Sequence, residues 1–136
     1  MLVEPAIGGP RNRRSRMRFM ILIGHDEKGG KTLTEAEHQA LFNAYQKYEK
    51  DLRQAGVLLG GDPLETSEKA ARISTVAGKR KVVDGPFTES KEIIGGYVLI
   101  EVRSRQEALE WAARCPAAQL GAWCYAELRE VQELPR

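Results

Sequence analysis

The segment that most constrains the fold is RFMILIG, residues 18–24, which predicts a strand with apolar side chains on both faces. Phe19, Ile21 and Ile23 share one face, and Met20 and Leu22 share the other. A strand that is apolar on both sides is covered on both sides in the folded protein. The chain of 136 residues must therefore build a sheet with one layer above it and another below.

The segment HDEKGGK that follows predicts a loop, and a helix then begins at Thr34. Thr34 and Glu37 have the spacing of a capping box, in which each side chain binds a free backbone N–H of the other residue. One helical face then carries the apolar residues Leu41, Tyr45, Tyr48, Leu52 and Ala55. Gly56 is placed to end this helix in a left-handed conformation.

The rest of the chain predicts five more strands and one more helix. VLLGGDPL is a short strand with a glycine break, and ARISTVA and KRKVVD form a hairpin around Gly78. GYVLIEVR is a strand, and a second helix begins at Ser104, again with Glu107 three residues later. Pro116 stops this helix, and WCYAELREV is the last strand.

This order predicts an α+β fold, a ferredoxin-like βαββαβ core with an added β-hairpin. Two helices cover only one side of the sheet, and the other side is apolar as well. Its expected members are Phe19 or Met20, Tyr97, Leu99, Trp123 and Tyr125. Because a monomer rarely exposes such a patch, we expect a homodimer in which two sheets pack face to face.

Composition separates a basic leader from a slightly acidic body. Residues 1–18 hold five of the 21 Lys and Arg residues, although the net charge of the whole chain is only +2. The basic pI thus belongs to the leader, which argues against a nucleic-acid surface on the domain. We expect a flexible basic leader at 1–16, one domain at 17–132 and a tail at 133–136. A leader that contacts nucleic acid or a partner, and a natural start at Met17, are the open alternatives.

Several classes of protein are disfavoured by the sequence. The longest apolar runs are too short to span a bilayer, and the leader lacks the apolar region of a secretory signal. Cys115 and Cys124 do not make a disulfide framework, and with His25 and His38 they show no zinc spacing. No nucleotide or hydrolase motif is present. We therefore expect a cytoplasmic protein with no membrane contact, no metal and no cofactor.

Three stretches of the sequence resemble one known family. DGPFTESKE at 84–92, GGYVLIEV at 95–102 and EALEWAARCP at 107–116 closely resemble the DGPF branch of the YCII-related proteins. The resemblance covers about residues 17–132 and implies a dimeric α/β barrel. It implies little about activity, because most members have no assigned function. It also implies a possible link to extracytoplasmic-function sigma factors, which members often neighbour.

Five residues are candidates for a site. Asp84 is either the acceptor in a tight corner or a base at the mouth of a cleft. Glu89 and Lys91 are either solvated charges or an anchor for an anionic group. Tyr97 either packs in the dimer or places its hydroxyl in a cleft. His25, at the end of the first strand, is either a polar loop residue or a general base.

One chemistry known among relatives is not expected here. YCII-like proteins include a dehydrochlorinase with a His-Asp pair, and fold relatives include cofactor-free monooxygenases and muconolactone isomerases. The pair would need a helix histidine and an aspartate two residues before the terminating glycine, where this chain has His38 and Gln54. Asp51 is the nearest aspartate. We therefore expect no dyad and a half-buried, structural His38.

Two functions remain from the sequence. The first is a dimeric module that binds a small molecule or regulates a partner, and the family resemblance links it to a sigma-factor system. The second is a cofactor-independent enzyme of lyase, isomerase or monooxygenase type acting on a small organic or aromatic acid. An enzyme requires acid, base and anchor groups that converge in one cleft, whereas a binding module requires only a shaped pocket.

Overall fold

A computed structural model describes residues 16–87 and 93–135, apart from the side chain of Lys31. The strands are β1 (Met17–His25), β2 (Leu58–Pro63), β3 (Ala71–Val76), β4 (Lys79–Asp84), β5 (Ile93–Val102) and β6 (Cys124–Glu130). The helices are α1 (Glu27–Lys31), α2 (Glu35–Gln54) and α3 (Arg105–Arg114). Short 3-10 turns follow at Ser67–Lys69 and Pro116–Gln119.

The main sheet has four antiparallel strands in the order β2-β5-β1-β6. Without the single turn α1 and without β3 and β4, which form a separate two-stranded hairpin, the elements follow in the order βαββαβ. The predicted α+β class and the inserted hairpin are thus both present. β1 and β5 are the two inner strands of the main sheet.

One face of the sheet forms the core with α2 and α3. Phe19, Ile21 and Ile100 of the sheet are fully buried, and Leu52 of α2 and Ala108 of α3 pack in the same cluster. The apolar stripes read from the helical spacing supply these residues. The hydrophobic effect therefore fixes both helices against the same side of the sheet.

The opposite face of the sheet carries half-buried apolar residues and corrects part of the sequence prediction. By the pleat of the strands this face holds Met20, Leu22, Tyr97, Leu99 and Tyr125. Phe19, offered as an alternative to Met20, is buried in the core instead. Trp123 also packs against the core cluster, because it precedes β6 and turns toward the helix-covered side.

The start of α2 confirms the predicted capping box. The Thr34 hydroxyl accepts from the Glu37 N–H at 3.1 Å, and the Glu37 carboxylate accepts from the Thr34 N–H at 2.9 Å. Gly56 has the predicted left-handed conformation, with φ of 73°. In α3 only half of the box forms, because the Glu107 carboxylate accepts from the Arg103 N–H rather than from Ser104.

The predicted loop at HDEKGGK was wrong. His25 still belongs to β1, and Glu27–Lys31 forms the single helical turn α1. Asp26 stabilises this turn because its carboxylate accepts from the Lys28 N–H at 2.9 Å. The two glycines in this segment have low helix propensity, so the sequence did not predict the turn.

The DGPF corner ends β4 and packs against the chain that precedes β3. The Gly85 N–H donates to the Ala70 carbonyl at 2.8 Å, and a Cβ at Gly85 would collide with the Ser67 carbonyl. Ser67 is held in turn by Glu27, whose carboxylate accepts from its N–H at 2.9 Å and its hydroxyl at 2.6 Å. The corner is thereby tied to α1 at the end of β1.

Candidate functional site: a cleft between helix α2 and the sheet

The two halves of α2 contact the sheet differently, and the difference opens a cleft. Tyr48 and Leu52 in the second half are buried, whereas Phe42 in the first half is 57% exposed. The space between α2 and the sheet has a volume of about 790 Å³, and residues from both halves of the helix line it. This lies within the range of 300–1,000 Å³ that is typical of small-molecule sites.

The walls of the cleft are mainly apolar. α2 supplies Leu41, Phe42 and Tyr45, and the sheet supplies Leu58 and Val98. Trp123 closes the end where β6 begins. Aromatic walls with few polar groups favour an organic ligand with an apolar or aromatic body.

His25 lies at the end of this cleft, on the same face of β1 as Ile23. Its ring meets Trp123 edge-on, with 6.4 Å between the ring centroids. A Cβ at Gly95 would lie 2.5 Å from the His25 Nε2, so the glycine makes room for the ring. The imidazole is half-buried and has no hydrogen bond to any other residue that the structure describes. Its nitrogens are thus available to a ligand.

The carboxylates that border the cleft are engaged by neighbours. Asp62 accepts a hydrogen bond from the Tyr97 hydroxyl at 3.2 Å, where β2 meets β5. This bond raises the pKa of Tyr97, so the phenol stays a donor near neutrality. Glu49 pairs with Arg53 at 2.8 Å, one turn apart on α2. Glu49 is therefore paired with a cation, whereas Asp62 accepts a hydrogen bond from a neutral phenol.

His38 also borders the cleft, but its side chain is exposed, in contrast to the half-buried position that we expected. Asp51, the nearest aspartate in α2, is bound elsewhere. Its carboxylate accepts from Lys47 at 2.9 Å and from Arg114 at 2.8 Å, and Lys47 first and then Arg114 lower its pKa. In this arrangement Asp51 does not pair with His38.

Phenols and thiols that are wholly or partly buried lie at and behind the wall of the cleft. Burial raises the pKa of Tyr45 and Tyr48, and the Tyr48 hydroxyl donates to the Trp111 carbonyl at 2.7 Å. Burial also raises the pKa of Cys115 and Cys124. Because a thiol acts as a nucleophile in its ionised form, these cysteines pack as apolar residues at neutral pH.

The structure brings together only some of the candidate residues from the sequence. His25 and Tyr97 both border the cleft. Asp84 lies exposed at the end of β4 and is not among the residues that line the cleft. Glu89 and Lys91 lie outside the described residues, so their role as an anchor stays a prediction.

A smaller depression of about 480 Å³ lies beside the DGPF corner. Its wall includes Phe87, which is buried and carries the Arg72 guanidinium 3.9 Å above the centre of its ring. Because this depression is the smaller of the two, we place the candidate site in the larger cleft.

Two further observations bear on the kind of site. The part of the chain that the structure describes has no group of three or more His, Cys, Asp or Glu residues arranged to hold a metal ion. None of the described helices combines the length and the hydropathy needed to cross a bilayer.

Sequence reasoning missed several residues of the cleft. Phe42 lies beside the apolar stripe of α2 and Trp123 was assigned to the opposite face, yet both line the cleft. Asp62 was not singled out, although its pairing with Tyr97 follows once β2 and β5 are aligned. That alignment is the signal that could have found it.

The described fold is a small antiparallel α+β domain with a ligand-sized cleft, and comparison with known proteins assigns it to a family. A family model described as the YCII-related domain matches residues 17–132. An uncharacterised protein of Rhizobium meliloti (strain 1021) is 30% identical over 96 residues, which cover 71% of this chain and 77% of that protein. The chain belongs to the YCII-related family.

Proposed function

We propose that this protein is a homodimeric binding module for a small organic acid with an aromatic or apolar body. The observation that carries the proposal is the cleft of about 790 Å³ with the His25 ring free at its end. A possible regulatory role in a sigma-factor system rests on the family resemblance alone and stays a prediction.

The preference for an acid follows from the groups that remain available in the cleft. Glu49 is paired with Arg53, and Asp62 is hydrogen-bonded to Tyr97. His25 and His38 border the same space, and a histidine ring offers an N–H donor to a carboxylate. An imidazolium forms a charge-assisted hydrogen bond to a carboxylate. The apolar walls then hold the body of the ligand.

The proposal is tested with benzoate and phenylacetate against their neutral amides, at pH 6 and pH 8. We expect the acids to bind more tightly than the amides at pH 6, by about tenfold, because one charge-assisted hydrogen bond is worth about 1.5–3 kcal/mol. The readout is the indole N–H resonance of Trp123, which borders the cleft. Trp111 packs against Tyr48 outside the lining and serves as the internal reference.

A matched pair of variants separates the site from the rest of the surface. His25→Gln should remove the difference between acid and amide, whereas Arg80→Gln in the hairpin should leave it unchanged. If the acids shift neither indole resonance at either pH, the cleft is not an acid site. If both variants lose binding equally, the effect is one of net charge and the proposal fails.

The homodimer is proposed from the uncovered face of the sheet. Met20, Leu22, Leu99 and Tyr125 form an apolar surface on this face, and none of them belongs to the core cluster. A second copy of the same face is self-complementary, and a pair of such faces forms the barrel implied by the family resemblance. Light scattering should show a dimer at micromolar concentration. Leu99→Glu should give a monomer, and Leu109→Glu on the outer side of α3 should not.

A second candidate function is a cofactor-independent enzyme, and the position of His25 favours it. An imidazole that borders the cleft and has no hydrogen-bond partner among the described residues can take a proton from a bound ligand or give one to it. Any acid that shifts the Trp123 resonance should be incubated with the protein and followed by NMR for hours. Turnover that is lost in His25→Gln supports an enzyme, and an unchanged ligand supports a binding module.

A further inference from the structure

The hairpin β3–β4 is the most exposed part of the described chain. Every residue of both strands is exposed, and Ile73 and Val82, which face each other across the ribbon, are 70% and 56% exposed. A two-stranded hairpin alone is marginally stable in water. We propose that the β3 edges of two copies pair in antiparallel register, so that the hairpins form one four-stranded sheet.

The turn of the hairpin decides which backbone groups face outward. Ala77 and Gly78 both have positive φ, 52° and 78°, which makes this a type I′ turn. The Val76 carbonyl therefore accepts from the Lys79 N–H, and these two residues form a hydrogen-bonded pair. Because such pairs alternate along an antiparallel ladder, Ile73 and Thr75 point their N–H and C=O groups away from β4.

The two edges of the hairpin differ in charge, and this difference selects β3. β4 carries three consecutive cations, Lys79, Arg80 and Lys81, whereas β3 carries only Arg72. Lysines and like charges on an edge strand oppose pairing with another strand. Within the part of the chain that the structure describes, β3 pairs with no strand other than β4. The β3 edge is thus open, and the β4 edge is protected.

The sequence of β3 favours a second copy of the same chain as the partner of its open edge. Pairing centred on Ile73 places it opposite Ile73 of the partner subunit, so the most exposed large apolar side chain of the hairpin is covered. Arg72 then faces Ser74 of the partner subunit rather than another arginine. The cations of β4 lie on the two outer edges, about three strand spacings or 14 Å apart, so they repel each other only weakly across solvent.

Cysteine cross-linking tests the pairing directly. Two copies of residue 73 would be directly opposite, at a Cα separation of about 5.5 Å, which allows a disulfide. Ile73→Cys should therefore form an intermolecular disulfide in most of the molecules under mild oxidation. Val82→Cys is the matched control, because it lies opposite on the same face of the hairpin but on the protected strand. The two native cysteines are buried.

A second pair of variants tests the edge without a new cysteine. Thr75→Pro removes an outward N–H from β3, and Arg80→Pro removes one from β4, while both leave the pairing of β3 with β4 intact. Thr75→Pro should raise the concentration for half-dissociation of the assembly by about tenfold or more, and Arg80→Pro should not. The proposal is wrong if both cysteine variants cross-link or if neither does. It is also wrong if the two proline variants change the concentration for half-dissociation equally.

Discussion

The two halves of α2 belong to one helix but meet the sheet in different ways. In the second half, Tyr48 and Leu52 are buried between the sheet and α3. In the first half, Leu41 is half-buried and Phe42 is largely exposed, and both line the cleft. Tyr48 and Leu52 line the cleft as well, so the second half serves both as core and as cleft wall, whereas the first half serves as cleft wall.

The difference teaches that apolar spacing on a helix does not by itself indicate packing. A stripe of five residues predicts which face turns toward the sheet. How closely that face approaches the sheet depends on what lies between, here the end of β1 with its Gly95 and Trp123 neighbours. Substitutions in the second half of α2 should therefore change stability, whereas substitutions in the first half should change ligand binding with little effect on stability.

The largest expected loss of stability comes from a substitution in the second half of α2. Leu52→Ala should lower the free energy of unfolding by about 2–5 kcal/mol, because Leu52 is 1% exposed and its truncation leaves a cavity in the core. Urea denaturation followed by far-UV circular dichroism measures the change. A loss below about 1 kcal/mol would mean that α2 is not anchored where the structure places it.

An intermediate change in the free energy of unfolding is expected at alkaline pH. Burial raises the pKa of Tyr45 and Tyr48 above the usual value of about 10. A group whose pKa is raised by folding stabilises the protein below its unfolded pKa, and this stabilisation is lost as the pH rises toward the folded pKa. The free energy of unfolding should therefore fall above pH 10, by up to about 1.4 kcal/mol per pH unit for each phenol.

Spectrophotometric titration at 295 nm checks this loss. Part of the absorbance of ionised tyrosine should appear only when the protein unfolds, because the buried phenols ionise only then. Tyr48→Phe should reduce this part of the absorbance. Complete ionisation of all tyrosines near pH 10 in a folded protein would contradict the burial of both phenols.

The smallest change in stability is expected from a substitution in the first half of α2. Phe42→Ala should change the free energy of unfolding by no more than about 0.5 kcal/mol, because the side chain is mostly in water already. The same variant should weaken binding of an aromatic acid, since Phe42 borders the cleft. Calorimetric titration measures the binding. A large loss of stability with unchanged binding would reverse the roles of the two halves.

The sequence predicted the fold well because its signals are local. The capping box at Thr34, the left-handed end at Gly56 and the alternation in β1 each depend on a few neighbouring residues, and all were found in the structure. The turn α1 was missed because its stability comes from the Asp26 cap rather than from helix propensity. Trp123 was assigned to the wrong face of the sheet, because the alternation of β6 was extended to a residue that precedes this strand.

The site was predicted less well, because a cleft is formed by residues that are distant in sequence. His25 was selected from its place at a strand end, but its neighbours Gly95 and Trp123 come from β5 and from the start of β6. Asp84 was selected from a motif, yet the motif forms a corner that is fixed by backbone contacts with Ala70 and Ser67. A motif alone does not distinguish a corner from a cleft.

The sequence by itself determined the order of the elements, the class of the fold and the face that each helix turns inward, because periodicity and caps act within a few residues. The tertiary structure decided that a cleft remains between α2 and the sheet and that His25 meets Trp123 beside it. These features depend on long-range packing, where strand register and the volume of distant side chains set the distances. The cleft is therefore a property of the folded chain and not of any one segment.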